Sequence, residues 1–244
     1  MNNIVFWHGW GMSPSVWQPL THALIHSGNI DVTCQTPALP GYEKNNLKDN
    51  EHFSNWVDMM MASTTNDIIL CAWSMGAIMA LDAANRYADK IKKLILFGAT
   101  PCFINKVGWE YGLSPKTAQH FKEGIQANSK AMLKRFIMLF NQNDCYAKAI
   151  TRQLSSLPYP PDDVLLKGLD FLHHSDFRPI MANIHQPVLI IHGENDPLMP
   201  VNAAKWLSNT LPNASLSILP NTAHAPFLSQ PTQCADIIQQ FLQS

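Results

Sequence analysis

Charge is scarce in this chain and nearly balanced: 14% of its 244 residues are Asp, Glu, Lys or Arg, and they leave a net charge of -1. A generally basic nucleic-acid binder is excluded on that count. Cysteine is scarce too. Cys34, Cys71, Cys102, Cys145 and Cys234 are odd in number, scattered, and form no C-x-x-C pair, which argues against both a disulfide framework and a zinc site. Neither a metal nor an organic cofactor is implied, and a reducing cytoplasm is the expected location. No hydrophobic run matches a bilayer span, since the longest, Ile68 to Leu81, is too short and contains a turn, so no membrane association is expected. The first charged residue is Asp31, yet the opening segment has no basic n-region and carries His8, Gly9 and Gly11 where an apolar h-region would lie. No signal peptide is read. Repeats and low-complexity tracts are absent. What is present is enough chain for one ample domain, or one domain with an insertion, stabilised by its core alone.

The chain is organised around Asp67 to Asp82, where an apolar run rich in β-branched residues breaks at Ser74 and resumes with helical character. Strand, tight turn and helix are expected in that order. A serine so placed stands above the carboxyl end of its strand, with the next residue's amide pointing into the same space from a helix N-terminus. Ala72-Trp-Ser-Met-Gly76 departs from G-x-S-x-G by one methyl group at Ala72. Taken alone, the same residues also suit a plain helix N-cap at Ser74.

Ile4 to Trp7 reads as a strand running into His8-Gly-Trp-Gly11, a glycine-bracketed loop able to turn beneath a ligand. Two preorganised amides, those of Trp10 and Met75, would form an oxyanion hole; His8 is read as a structural histidine. A helix is expected from Val16 to Ser27, a strand from Ile30 to Cys34, a helix from Phe53 to Ala62, a helix from Ser74 to about Tyr87 and a strand from Lys92 to Phe97. Alternating strands and helices imply a mostly parallel sheet with right-handed crossovers. From Trp109 to about His174 the pattern is helical, read as a cap (101–179) inserted into a core formed by 1–100 and 180–244. Met132, Leu133, Phe136, Leu139 and Phe140 share one face of a cap helix there, either packing on the sheet or roofing a pocket. Strands return at Pro187 to His192 and Leu216 to Leu219, and a helix closes the chain from about Cys234 to Leu242.

Each of the last two strands feeds a loop with chemistry. His192 to Pro200 presents Asp196, with Glu194 as a competing carboxylate, and Asn221 to Pro226 presents His224. Ser74, Asp196 and His224 follow the chain order of an α/β-hydrolase triad. His224 would take the Ser74 proton while Asp196 holds the imidazole tautomer.

His8-Gly-Trp-Gly11, Ala72 to Ala77, Thr100-Pro-Cys-Phe103, Lys134-Arg-Phe136, Asp176-Phe-Arg-Pro179 and Ala223-His-Ala-Pro-Phe227 together resemble the pimeloyl-acyl-carrier-protein methyl ester esterase family of biotin synthesis, over nearly the whole chain. The resemblance implies an α/β-hydrolase fold and hydrolysis of a methyl ester on a pimeloyl chain carried by acyl carrier protein. It implies Ser74, Asp196 and His224 as triad, Trp10 and Met75 at the substrate carbonyl, and Phe136, Ile137, Met138, Leu139 and Phe140 as pocket lining. Relatives usually carry a β-hairpin before the His-Gly strand, so N-terminal strands are expected to be missing and the Ile30 to Cys34 strand to be a sheet edge. A monomer is expected, with an edge-strand dimer as the alternative.

An acidic carrier partner has separate support. Between Lys116 and Arg152 lie seven basic residues and two acidic ones, a local charge of +5, and Lys130, Lys134, Arg135, Lys148 and Arg152 are the docking candidates. The competing readings are a broad-specificity carboxylesterase, a carbon–carbon bond hydrolase with the same triad, and an acyl-binding protein whose triad is silent.

Overall fold

The structure, a computed structural model, describes residues 2–28, 30–43 and 55–243. Among the described residues six strands form one sheet: β1 (Asn2–Trp7), β2 (Val32–Gln35), β3 (Ile68–Trp73), β4 (Ile91–Phe97), β5 (Val188–Gly193) and β6 (Ala214–Leu219), in spatial order β2-β1-β3-β4-β5-β6. Every pairing is parallel. Among the described residues β2 pairs with β1 alone and is the outer strand, as the sequence leads one to expect.

The central strand β3 is apolar throughout, as expected where helices cover both faces of a parallel sheet. All six residues of β3 are buried, and so are nine of the twelve residues of α3 (Met75–Arg86) that follows it. α1 (Gln18–His26) and α2 (Trp56–Ala62) are the other α-helices before β4 among the described residues. The Val16 to Ser27 helix is thus two pieces: Pro14–Trp17 is a 3-10 turn, and Pro19 starts α1 in the first turn, where a missing N–H costs nothing. The expected start of the next helix at Phe53 lies outside the described residues.

Between β4 and β5 lie α4 (Pro115–Phe140), α5 (Ala147–Leu154) and α6 (Asp162–His174). Residues 109–114, expected to be helical, are a loop instead, pinned by bridges between Ile104 and Leu113 and between Lys106 and Trp109. Gly108 and Gly112 break the pattern there: Gly108 has φ +72°, and a Cβ on Gly112 would sit 2.6 Å from the Ile104 carbonyl carbon. α4 is two helices end to end. Asn128 has extended torsions (φ -163°, ψ 90°), and its Oδ1 accepts from Ala131 N at 3.0 Å, capping the second half. The two ends of the α4–α6 segment are tied where they leave and rejoin the sheet: Phe177 N donates to the Pro101 carbonyl at 2.8 Å, and Arg178 grips Asp176 with two bonds of 2.8 and 2.7 Å.

After β5 come α7 (Val201–Thr210), then β6, the short α8 (Pro226–Ser229) and α9 (Pro231–Gln243). Trp17, Phe97, Trp73 and Phe227 form an aromatic block beneath the His224 loop, with Trp17 and Phe227 stacked at 4.3 Å and Trp73 and Phe227 edge-on at 5.2 Å. Phe227 is fully buried, a contribution of about 2–3 kcal/mol, and it fixes the backbone three residues beyond His224.

Candidate active site

The site begins at the turn between β3 and α3. Ser74 has φ 58° and ψ -120°, a torsion pair an L-residue adopts only under constraint. The constraint is visible: Ser74 N donates to the Phe97 carbonyl at 3.1 Å, and its own carbonyl accepts from Ile78 N at 3.1 Å. Gly76 is required because a Cβ there would lie 2.6 Å from the carbonyl oxygens of Trp7 and His8. Ala72, the departure from the usual motif, is fully buried and keeps its place in the ladder between Trp7 and Leu96. The elbow therefore forms with alanine in that position.

The triad candidates meet above this turn. Ser74 Oγ donates to His224 Nε2 at 2.9 Å, and His224 Nδ1 donates to Asp196 Oδ2 at 2.7 Å. Burial alone would push the Asp196 carboxyl up; the neighbouring charge and hydrogen bond of His224, then the charge of His192 and the Met199 N–H, outweigh it and hold it below the usual carboxylate range. Its second oxygen accepts from Leu198 N and Met199 N, both at 2.9 Å. An ionised Asp196 thus fixes the Nδ1–H tautomer and leaves Nε2 bare toward the serine. Glu194 is exposed and plays no part in this chain of bonds.

His224 itself is held from four sides. Trp73 Nε1 donates to its carbonyl at 2.8 Å, and its N–H donates to the Phe140 carbonyl at 3.2 Å. Its ring lies over Gly98, where a Cβ would come within 2.9 Å of Cε1 and Nδ1, and the Phe140 ring stands 5.8 Å away. The sequence carried no sign of Trp73 or Gly98 in this role beyond their nearness to strand ends.

The His8-Gly-Trp-Gly11 loop lies against the same elbow, with Gly9 so placed that a Cβ would be 3.2 Å from the Ser74 Cβ. His8 is structural, as expected. Its Nδ1 donates to the Gly9 carbonyl at 2.9 Å, its Nε2 accepts from Leu39 N at 3.1 Å, and burial lowers its pKa to about 4, against the weaker effect of the Gly9 bond. Neither the Trp10 nor the Met75 amide donates to a backbone acceptor among the described residues, so both are available to a ligand. The Trp10 indole is buried, donates to the Leu165 carbonyl of α6 at 2.9 Å and meets Phe136 edge-on at 4.9 Å.

Of the five residues from 136 to 140, the structure turns Phe136, Ile137 and Phe140 inward and leaves Leu139 half-buried. Met138 is a correction. It is 54% exposed and lines a surface groove with Lys148 and Arg152, because at 3.6 residues per turn five successive residues cannot share one face. Lys130, Lys134, Arg135, Lys148 and Arg152 are all exposed, and none pairs with a carboxylate among the described residues. No group of three or more His, Cys, Asp or Glu side chains among the described residues could hold a metal ion, and no described helix is long and apolar enough to cross a membrane.

A parallel sheet with a serine elbow and a Ser-His-Asp relay is the architecture of an α/β hydrolase. The sequence profile of the Alpha/beta hydrolase family matches residues 4–237, and the chain belongs to that family. Within it, the chain is 35% identical to the "Pimeloyl-[acyl-carrier protein] methyl ester esterase" of Aromatoleum aromaticum, covering 97% of this chain and 96% of that protein. The protein of the same name from Nitrosomonas europaea is 29% identical over 95% of this chain and 92% of its own length. Among solved structures, an esterase from Exiguobacterium antarcticum superposes with a TM-score of 0.87 at 20% identity, covering 100% of this chain and 92% of that one. A bromoperoxidase from Bacillus anthracis gives the same four values. Relatives so distant in sequence speak for the fold alone.

Proposed function

We propose that this chain is a serine carboxylesterase that hydrolyses the methyl ester of a pimeloyl chain carried by acyl carrier protein, a step of biotin synthesis. The observation that carries the chemistry is the unbroken relay from Ser74 through His224 to Asp196, at 2.9 and 2.7 Å, in a buried site. The substrate assignment rests on the relative that is 35% identical along almost the full chain and bears that name.

In this mechanism Ser74 Oγ attacks the ester carbonyl while His224 Nε2 takes its proton, and the carbonyl oxygen draws hydrogen bonds from the Trp10 and Met75 amides. His224 returns the proton to the methoxide, which leaves as methanol. Water then repeats the sequence on the acyl-enzyme, and the free carboxylate departs. Residues 101–179 serve as a cap: Phe136, Ile137 and Phe140 form an apolar roof suited to a chain of methylene groups. The exposed Lys130, Lys134, Arg135, Lys148 and Arg152 present a surface on which an acidic carrier protein would dock, with Met138 as an apolar contact in the groove beside Lys148 and Arg152. The protein is proposed to act in the cytoplasm, as a monomer.

The test is to supply pimeloyl methyl ester on acyl carrier protein and follow free carboxylate by mass spectrometry, with short p-nitrophenyl esters in parallel. Hydrolysis of the carrier-bound ester, abolished in Ser74→Ala, is the expected result. Cleavage of short esters alone would move the function to a general esterase.

A further inference from the structure

Asp144 is a carboxylate only 7% exposed, in the turn between α4 and α5, and the reaction proposed above gives it no task. Its oxygens are nonetheless fully engaged. Oδ1 accepts from Tyr146 N at 2.8 Å, while Oδ2 accepts from Ala223 N at 2.9 Å and from Ser229 Oγ at 2.7 Å. Two of these three donors belong to the segment that carries His224, and one is the residue immediately before it.

The bonds around Asp144 point the same way. Cys145 N donates to the Asn221 carbonyl at 3.0 Å, and His224 N to the Phe140 carbonyl at 3.2 Å. Asn195 Nδ2, beside Asp196, donates to the Asn143 carbonyl at 3.2 Å. The turn from 140 to 145 is therefore laced to both loops of the relay. Burying a carboxylate costs several kcal/mol unless its lone pairs are filled, so a charged group in a mere spacer would be a poor choice. A carboxylate is also the one side chain here that accepts from three donors without turning a donor of its own toward them.

We propose that Asp144 is a positioning residue for His224: by holding Ala223 N and Ser229 Oγ it sets the height of the histidine loop above Ser74 and couples that height to the α4–α5 turn. The inference rests on the esterase reading for its effect on rate, though not for its effect on the His224 ring. Ser229→Ala removes one donor and leaves the Ala223 bond. Asp144→Asn keeps acceptors but brings an amide toward the donors, and Asp144→Ala strands all three.

The experiment measures kcat and KM on a short p-nitrophenyl ester and on the carrier-bound ester, together with the melting temperature. It also follows the downfield imidazole proton resonance of His224 at the His224–Asp196 bond, assigned by its loss in Asp196→Asn. Leu211→Ala, a buried change at the end of α7 remote from these loops, supplies a variant destabilised without touching them. Asp144→Ala is expected to lower kcat about a hundredfold on both esters with KM little changed, as misplacing a reacting group does, and to broaden or abolish the downfield resonance. Asp144→Asn and Ser229→Ala should each fall between it and the parent, and Leu211→Ala should lose melting temperature but keep kcat and the resonance. The proposal is overturned by a parental kcat in Asp144→Ala, by an equal kcat loss in Leu211→Ala, or by an effect confined to KM for the carrier-bound ester. Should Asp144→Ala fail to fold, a parental kcat and resonance in Asp144→Asn overturns it equally. If the unmodified protein cleaves neither ester, the esterase reading falls, and the His224 resonance still decides the role of Asp144.

Discussion

Gly168, in the middle of α6, lies against Trp10 of the proposed oxyanion loop, and Gly168→Ala sets two effects against each other. A Cβ there would lie 2.6 Å from Trp10 Cδ1, 3.0 Å from Trp10 Nε1 and 3.3 Å from Met75 Sδ. The first contact falls about 1 Å short of an ordinary carbon–carbon approach, so either the indole tilts or the helix lifts. The indole has little room, being 2% exposed and edge-on to Phe136 at 4.9 Å. Lifting α6 carries away the Leu165 carbonyl that the indole bonds at 2.9 Å. Overpacking of this kind costs about 1–3 kcal/mol, whereas alanine in place of glycine inside a helix gains at most about 1 kcal/mol. With the full propensity gain set against it, the net is a destabilisation of up to about 2 kcal/mol, read as a melting temperature lower by up to about 8 °C for a chain of this size. Because Trp10 also carries a proposed oxyanion donor, kcat on a short p-nitrophenyl ester should fall about tenfold. Differential scanning fluorimetry and steady-state kinetics read both. A higher melting temperature with unchanged kcat would show that helix propensity prevails and that Trp10 is not locked against α6.

Asp196→Asn should cut kcat by about a thousandfold or more through loss of the required histidine tautomer, while Glu194→Gln stays within about twofold of the parent; steady-state rates of the two variants side by side check this. His8, neutral and buried with a pKa lowered to about 4, takes up its proton more readily in the unfolded chain, so it contributes stability that is present above pH 6.5 and lost as the pH falls from 6.5 to 4. The loss amounts to about 3 kcal/mol, and urea unfolding across that range should show a shallower pH slope in His8→Asn than in the parent. Reversing Lys134 and Arg135 to Glu should lower kcat/KM for carrier-bound ester about tenfold at low salt, with the deficit shrinking as salt is raised and a small free ester unaffected.

Most of the sheet is legible because β1, β3, β4 and β5 each contain a short apolar run bounded by turn residues, and the serine elbow because helix and strand character change at a single residue. The order Ser74, Asp196, His224 could be read from the loops after the strands. The sequence names Asp196 as the triad carboxylate and Glu194, two positions away in the same loop, as its competitor; the bonds from Leu198 N and Met199 N that hold Asp196 inward against His224 decide between them. The resemblance implies Met138 as pocket lining together with its four neighbours, but a helix distributes a contiguous run around its axis and places Met138 on the exposed side. The helical pattern expected from Trp109 gives way to a loop at 109–114 because the local backbone demands of Gly108 and Gly112 prevail over a few apolar residues. Asp144 left no trace in the sequence, since its partner Ala223 lies 79 positions away and the group reads simply as one acid in a basic stretch.

The central claim is that His224 makes Ser74 a nucleophile, and covalent trapping tests it most directly: treat the purified protein with a fluorophosphonate, digest it, and locate the added mass by peptide sequencing. The account predicts one modified residue, Ser74, with labelling lost in Ser74→Ala and strongly slowed in His224→Ala. An unmodified Ser74, or labelling as fast in His224→Ala as in the parent, would contradict it.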